Sequence, residues 1–535
     1  MTAKSFLSSV FLLIFSVVCF SFAHPGVVFA RGLFVFGWIA YIPVFVLLKR
    51  CTVRTAFCWG AAYGFLRFFV LMYWLFAYRL GGLVGLCLAM AAETAVLFAL
   101  CVAVGRFFRR YFPRAFGVAG WLVAPALFLL FDWLRTLGEL GFSYGVIGYS
   151  QWQVAPLVRS ARFFGVWGVS FAIMVFGAWV AFVLSQYLQK EKWKHLHGLL
   201  LVCFSWIENP YRLGRMRIRI PDDVARRLVP IFFRGAFIFG IFLLIFFSGK
   251  LFLRVPPAPL GEAPSFSVAL IQPNSDPWKD GVVAYREELR ALMTLTDKAL
   301  AEHPETQLVV WSETAFVPDI VRHYTERADA ERFVLVAELL QYIESKNCAF
   351  VLGNNHAEQA TSAAEGRVSN FNSALYFEPH SNVLPPEPVV YSKMRLVPFS
   401  EQVPYARIFA PVARLFDPEP HYWDAGTAAT IFETQGIRFC APICFEDTFA
   451  PDIKNMCRAG AQLIVNLSND SWSHSLACQN QHLAMAVFRS AENGVPTIRS
   501  TASGQTCIID ARGRVVAEIP PFEAGYLCGT VTVGN

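Results

Sequence analysis

The chain has 535 residues, 55% of them apolar and only 16% charged, with a formal net charge of +7. That composition is too apolar for one water-soluble globule of this length, and the length allows two large units. The basic surplus lies mainly between hydrophobic runs, which points to orientation in a membrane and speaks against nucleic-acid binding. The 13 cysteines form no CxxC pair and no disulfide framework. Cys19, Cys58, Cys87 and Cys101 stand inside apolar runs and read as small hydrophobes. His195 and His197 form an isolated H-x-H among lysines, a poor metal site.

Runs of about 18 or more apolar residues predict helices able to cross a bilayer. They fall at 6–28, 31–48, 56–78, 82–105, 115–134, 163–188 and 231–252. The first run follows Lys4 in the manner of a secretory leader. Its length, the want of an A-x-A site and its continuation into further runs predict a retained helix. Basic residues alternate between connections: Lys49, Arg50 and Arg54 follow the second run, Arg106, Arg109, Arg110 and Arg114 the fourth, and a cluster from Lys190 to Arg227 the sixth. Arg31, Arg79, Arg135, Arg159 and Arg162 are the sparser charges on the other side. The positive-inside bias then puts the N-terminus in the cytoplasm, and an odd number of spans delivers residue 255 onward to the outer side.

Arg67 and Glu93 fall within predicted spans, where a buried ion pair or a snorkelling head group is preferred to a catalytic role. The loop from Asp132-Trp-Leu-Arg135 to Gly148-Tyr-Ser-Gln151 is rich in glycine and aromatics. It is expected beside the soluble half, shaping a lipid entrance or forming an interfacial aromatic belt. The basic segment 189–230 is expected to contact anionic lipid. Residues 1–254 thus read as a transmembrane domain of about seven helices, and 255–264, rich in proline, as a stiff linker.

Residues 265–535 read as an α/β catalytic domain. Strands are predicted at 266–272, 308–311, 349–353, 372–378, 388–392, 437–443, 463–466, 495–500 and 505–510. Helices are predicted at 286–301, 329–346, 449–458 and 478–493. Three short words follow apolar strands: Trp311-Ser-Glu-Thr around Glu313, Tyr391-Ser-Lys around Lys393, and Ile443-Cys-Phe-Glu around Cys444. Singly, each has a plain structural reading: a helix-capping glutamate, a solvated lysine, an inert buried cysteine. Together, a carboxylate, an ammonium and a thiol make a complete set for acyl transfer through a thioester.

On these words the C-terminal half resembles the nitrilase superfamily, whose members place a Glu-Lys-Cys triad on an αββα sandwich. With its membrane half, nearly the whole chain resembles the apolipoprotein N-acyltransferase family of bacterial cytoplasmic membranes. Trp311-Ser-Glu-Thr-Ala315, Leu396-Val-Pro-Phe-Ser-Glu-Gln-Val-Pro404, Ile443-Cys-Phe-Glu446, Asn469-Asp-Ser-Trp472 and Gly148-Tyr-Ser-Gln151 carry the resemblance. It implies Glu313 as general base, Lys393 as oxyanion stabiliser and Cys444 as nucleophile. Glu401 would hold the lysine, Glu446 would stand beside the nucleophile, and Trp278 would lie on a mobile substrate loop. The implied substrates are a phospholipid acyl donor and the α-amine of a diacylglyceryl-cysteine on a lipoprotein, with no metal or soluble cofactor. The implied location is the bacterial inner membrane, as a monomer with the catalytic domain on the periplasmic side. The triad alone is equally compatible with a membrane-tethered amidase that passes the acyl group to water.

The chain departs from the family pattern at Phe445, where tyrosine is usual, and at Ser400, where glycine is common. Its cytoplasmic insert near 206–228 is longer than usual. A strand-like tail ends it at Asn535, where the family has a further span.

Overall fold

The computed structural model describes residues 3–78, 80–187, 222–254, 264–278, 280–359, 368–405 and 423–534. The expectations placed on Arg79, on most of the basic segment with His195 and His197, and on nearly all of the linker lie outside the described residues.

The N-terminal half is helical: α1 (Ala3–Ala23), α2 (Phe34–Ala40), α3 (Ile42–Leu48), α4 (Val53–Leu71), α5 (Leu80–Tyr111), α6 (Pro113–Ala119), α7 (Val123–Arg135), α8 (Ala155–Tyr187) and α9 (Asp222–Arg254). Four described stretches are long and apolar enough to cross a membrane: Ala3–Ala23, Leu80–Tyr111, Ala155–Ser185 and Phe233–Lys250. The second predicted run is broken at Tyr41, and the fifth is divided by a short 3-10 turn at Gly120–Leu122. Helix α4 starts at a reciprocal cap, in which the Thr52 hydroxyl accepts from Thr55 N and Thr52 N donates to the Thr55 hydroxyl. It lies close against α5 because Gly60 and Gly64 present no side chain; a Cβ on Gly64 would stand 2.4 Å from the Met90 carbonyl oxygen.

Arg67 and Glu93 do not pair with each other as their sequence positions suggest. Arg67 donates to the Tyr41 hydroxyl at 3.3 Å and stacks over Phe20 and Phe68. Arg135 takes Glu93 at 3.5 Å and Asp132 at 2.9 Å.

The C-terminal half contains two six-stranded mixed sheets. The first has the order β12-β1-β2-β3-β4-β5, built from Ser265–Gln272 (β1), Leu308–Trp311 (β2), Ala349–Gln359 (β3), Val368–Phe377 (β4), Val389–Ser392 (β5) and Gly525–Thr532 (β12). The second has the order β11-β10-β9-β8-β7-β6, built from Phe432–Thr434 (β6), Ile437–Cys440 (β7), Leu463–Ser468 (β8), Thr497–Thr501 (β9), Cys507–Ile509 (β10) and Val515–Glu518 (β11). Each centre is parallel, β1-β2-β3 in one and β7-β8-β9 in the other, with antiparallel flanks.

Strand alternation assigns the faces. Val268, Leu270, Leu308 and Val310 enter a core with Val465, Leu467 and Ile498 of the other sheet. Ala269, Ile271, Val309 and Trp311 instead meet the helices α10 (Val282–Glu302), α11 (Ile320–Glu326) and α12 (Ala330–Glu344). In the second sheet, α13 (Ala450–Arg458) connects β7 to β8 and α14 (Leu476–Asn493) connects β8 to β9. Helix α14 is buried on every face from Ala477 to Ala491, because the helices of the membrane half close over the side turned away from the sheet. Strands β6 and β11 and helix α11 are additions to the sequence reading; the strand-like tail is β12, which pairs with β1.

Candidate active site

Glu313, Lys393 and Cys444 each stand just beyond the end of a strand, β2, β5 and β7 respectively, and the fold brings all three together. Glu313 enters through a tight turn in which Ala315 N donates to Ser312 O at 3.3 Å and Thr314 adopts φ 46°. Its backbone lies directly on β3: a Cβ on Gly353 would fall 2.6 Å from Glu313 Cα. Lys393 Nζ donates to Glu313 Oε1 at 3.0 Å and to Glu401 Oε1 at 2.8 Å, with the ammonium group buried. Asn372 on β4 ties the pair to the sheet, donating from Nδ2 to Glu313 at 2.8 Å and accepting Lys393 N on its carbonyl at 2.9 Å. Glu401 is fixed in turn by Val397 N on its second oxygen, 2.8 Å away.

Cys444 opens a 3-10 turn, Cys444–Thr448, with φ at +49°, a conformation costly for a residue with a Cβ. Glu446 holds that turn. Its carboxyl accepts from Ile443 N at 2.7 Å, Met394 N at 2.8 Å, Arg395 N at 3.0 Å and the Tyr391 hydroxyl at 2.8 Å. One side chain thereby locks the Cys444 turn to the segment that carries Lys393. Burial outweighs these hydrogen bonds and pushes the Glu446 carboxyl up to about 7.

A second buried cluster supports the turn from behind. His482 on α14 takes Asp470 on one ring nitrogen and Asp447 on the other, each at 2.8 Å, and Nε2 also lies 3.2 Å from the Cys444 carbonyl. Arg499 on β9 donates to Asp447 and reaches Asp470 at 3.7 Å. Burial alone would lower the His482 imidazole, but the Asp447 and Asp470 carboxylates outweigh it and hold it up to about 9. Cys444 Sγ is 3.9 Å from Asp470 Oδ1. Thiol, carboxylate and imidazole donors of Cys444, Asp470 and His482 fall within 4.8 Å of one another. Since both His482 nitrogens face carboxylates, the set serves first as an ion-pair network.

The resting protonation states follow from these neighbours. Burial raises the Cys444 thiol well above its usual range, and Glu313 and Asp470 add to that; Lys393 pulls it down without prevailing. Burial would discharge Lys393, yet Glu313 and Glu401 keep its ammonium well above the ordinary lysine range. Lys393 favours thiolate, but burial prevails, the resting sulfur is a thiol and a base must take its proton.

Two family models match this chain: Carbon-nitrogen hydrolase over residues 267–535 and the Apolipoprotein N-acyltransferase N-terminal domain over 16–179. Apolipoprotein N-acyltransferase 1 of Treponema pallidum (strain Nichols) is 37% identical over 542 residues, covering 99% of this chain and 91% of that protein. Apolipoprotein N-acyltransferase 1 of Treponema denticola is 34% identical over 537 residues, again covering 99% and 91%. The chain belongs to the apolipoprotein N-acyltransferase family. It is a membrane protein that joins apolar helices to a nitrilase-like αββα domain, as its sequence predicts.

The other site residues expected from sequence are distributed around this centre. Phe445 is buried edge-on against Phe449, ring centroids 5.1 Å apart, in the core shared with the membrane half. Trp278 is 59% exposed and stacks on Tyr78 of the membrane half, centroids 6.0 Å apart. Tyr78 meets Trp472, and Trp472 meets Trp74, each at 5.5 Å, so an aromatic row joins the loop after β1 to the membrane helices. The loop expected as a lipid entrance or aromatic belt differs along its length. Trp133, Leu134, Leu137 and Leu140 near its start are exposed, whereas Gly148-Tyr-Ser-Gln151 at its end is a fully buried 3-10 turn whose Tyr149 hydroxyl accepts from Arg489 of α14 at 2.9 Å.

Asn372, Asp447, Asp470, His482 and Arg499 were not among the residues singled out from sequence. Only Asp470 stood in a recognised word, Asn469-Asp-Ser-Trp472. The others lie in strand, turn or helix interiors with no motif spacing to flag them.

Proposed function

We propose that Cys444 carries a fatty acyl group between a phospholipid and the α-amine of a diacylglyceryl-cysteine, with Glu313 as base and Lys393 as oxyanion partner. The chain is an acyltransferase of lipoprotein maturation, and the observation that carries the residue roles is the buried Glu313–Lys393–Glu401 ion-pair set acting on the Cys444 thiol. In the first half-reaction Glu313 takes the thiol proton while sulfur attacks the ester carbonyl. The anionic oxygen forms against Lys393 and backbone N–H groups near Phe445. The ester C–O bond breaks, and Glu313 returns the proton to the departing lysophospholipid oxygen. In the second, the amine nitrogen attacks the thioester, Glu313 takes its proton, the C–S bond breaks, and sulfur is reprotonated.

Glu401 keeps Lys393 charged and aimed, and Glu446 holds the nucleophile turn. Trp278 guides lipid at the rim, supported by its exposure and its stacking on Tyr78. The working protein is multi-pass in the bacterial inner membrane, with the catalytic half on the periplasmic side; the apolar helices support the membrane placement and the alternation of basic connections supports the orientation. Residues 1–254 form its membrane domain, 255–264 the linker and 265–535 the catalytic domain. One chain supplies Glu313, Lys393 and Cys444, so a monomer suffices for the proposed chemistry.

The test incubates purified protein with phospholipid and a diacylglyceryl lipopeptide, then separates products by mass. An amide-linked third chain on the lipopeptide is the expected product. Free fatty acid without amide would assign the site to a hydrolase.

A further inference from the structure

The buried Gly148-Tyr-Ser-Gln151 turn has no part in the chemistry above, yet it reaches the nucleophile through two residues. Thr448 is the last residue of the turn that begins at Cys444, so its carbonyl is an acceptor left over at the end of that turn. Two donors fill it: Ser143 Oγ from the membrane half at 2.9 Å and Arg489 Nη1 from α14 at 3.4 Å. Arg489 is 1% exposed and does not hold its place alone. Its Nη2 donates to the Tyr149 hydroxyl at 2.9 Å and pairs with Glu492 at 2.9 Å, and Tyr149 also packs edge-on against Phe488, centroids 5.3 Å apart.

Glu492 extends the link into the membrane helices. Helix α8 is kinked at Gly165 (φ 61°, ψ −177°), which frees the backbone N–H that follows. Val166 N donates to Glu492 Oε1 at 2.9 Å, so the carboxylate caps the second segment of α8 while pairing with Arg489. The membrane-side turn is itself pinned, with Gly148 N donating to Ser170 Oγ at 3.1 Å. The start of the Cys444 turn is fixed from within the catalytic half, by Glu446 on Ile443 N and by His482 and Asn466 on the Cys444 carbonyl. Its end is held by Ser143 of the membrane half and by Arg489 of α14, whose guanidinium donates in turn to Tyr149 of the membrane half.

We propose that Tyr149 and Ser143, acting through Arg489 and the Thr448 carbonyl, are positioning residues by which the membrane half sets the backbone of the nucleophile turn. The proposal rests on Cys444 being the nucleophile. A strained turn with φ at +49° keeps its geometry only when both ends are held, and small displacements of an attacking atom are costly. The membrane half is then part of the catalytic apparatus as well as an anchor.

The test uses the full-length protein in detergent or nanodiscs. Tyr149→Phe removes only the hydroxyl, Ser143→Ala only the other donor, and Arg489→Lys is compared with Arg489→Gln. Three quantities are read: the single-turnover rate of Cys444 acylation by phospholipid, the pH profile of Cys444 alkylation by iodoacetamide followed on the Cys444 peptide, and KM for phospholipid. In the Tyr149→Phe/Ser143→Ala double variant, acylation is expected to slow about 10-fold or more, with alkylation slowed in parallel and KM within about twofold. Arg489→Lys should retain more of the rate than Arg489→Gln. Wild-type acylation and alkylation rates in the double variant would overturn the proposal, as would a loss confined to KM or to melting temperature. Should the Arg489 variants fail to fold, the double variant, which removes two oxygen atoms, still decides. Transfer that survives Cys444→Ala would overturn the nucleophile assignment and the proposal with it, a result distinct from a coupling failure, in which Cys444→Ala is dead and the double variant is normal.

Discussion

Two buried charge clusters flank Cys444, and they are built for different work. On one side Lys393 faces two carboxylates, Glu313 and Glu401. On the other, His482 and Arg499 face Asp447 and Asp470, two cations against two carboxylates. The first has a surplus carboxylate beside a thiol that burial keeps protonated, so it can accept a proton. The second is balanced, ties up both imidazole nitrogens and grips the Cys444 carbonyl. Its one oxygen near the thiol, Asp470 Oδ1 at 3.9 Å, belongs to a carboxyl that burial would raise but His482 and Arg499 hold below the usual carboxylate range, so it holds rather than receives. Charge excess marks the side where chemistry occurs, and charge balance marks the side that supports it.

The contrast is broken most severely at Lys393. Lys393→Met leaves Glu313 and Glu401 buried without their cation, and acyl transfer should fall by about 10²–10³-fold or more as the oxyanion partner is lost. Stability should also drop by roughly 3–5 kcal/mol, the usual consequence of orphaning buried charge. Glu313→Gln keeps the shape and removes the base; single-turnover thioester formation should slow about 10²–10⁴-fold with the melting temperature little changed. Equal rates in Glu313→Gln and the parent would show that the proton leaves by another route.

At the supporting cluster the larger effect should be on stability and its pH dependence. The His482 imidazole is raised from 6.5 to about 9 in the folded protein. Its contribution is therefore fully present below pH 6.5 and is lost as pH rises through about 9, a swing on the order of 3 kcal/mol. Thermal unfolding from pH 6 to 10 should show that loss in the parent and not in His482→Gln, which is already destabilised at pH 6. A smaller change is expected at Tyr391. Tyr391→Phe removes the hydroxyl donated to Glu446 at 2.8 Å and should cost about 1 kcal/mol, with a severalfold drop in rate. Loss of rate without any change in unfolding would move Tyr391 from the supporting side to the reacting side.

The reacting cluster was legible in the sequence because Glu313, Lys393 and Cys444 each stand where an apolar strand stops. The supporting cluster was not. His482 lies in the middle of α14, where the run Gln479-Asn-Gln-His482 looks like a solvated helix turn. It is buried on different sides: Gln479 and His482 turn to Asp470 within the catalytic half, while Gln481 Nε2 donates to the carbonyls of Pro25 and Leu71, just past the end of α1 and at the end of α4. Arg499 sits inside a strand, and only the tertiary fold supplies its carboxylates. The same cause hid the role of Tyr149. A local apolar pattern specifies strands and spans, whereas a polar residue matched to a distant partner carries no periodic signal of its own. The short strands β6 and β11 were missed because three or four residues with sparse alternation do not stand out from a loop.

The most direct test of the account is the mass of the Cys444 peptide after a single turnover with phospholipid alone. A fatty acyl mass on that peptide, labile to hydroxylamine and removed when a diacylglyceryl lipopeptide is added, is the predicted result. An unmodified Cys444 while the lipopeptide still gains its third chain would contradict it.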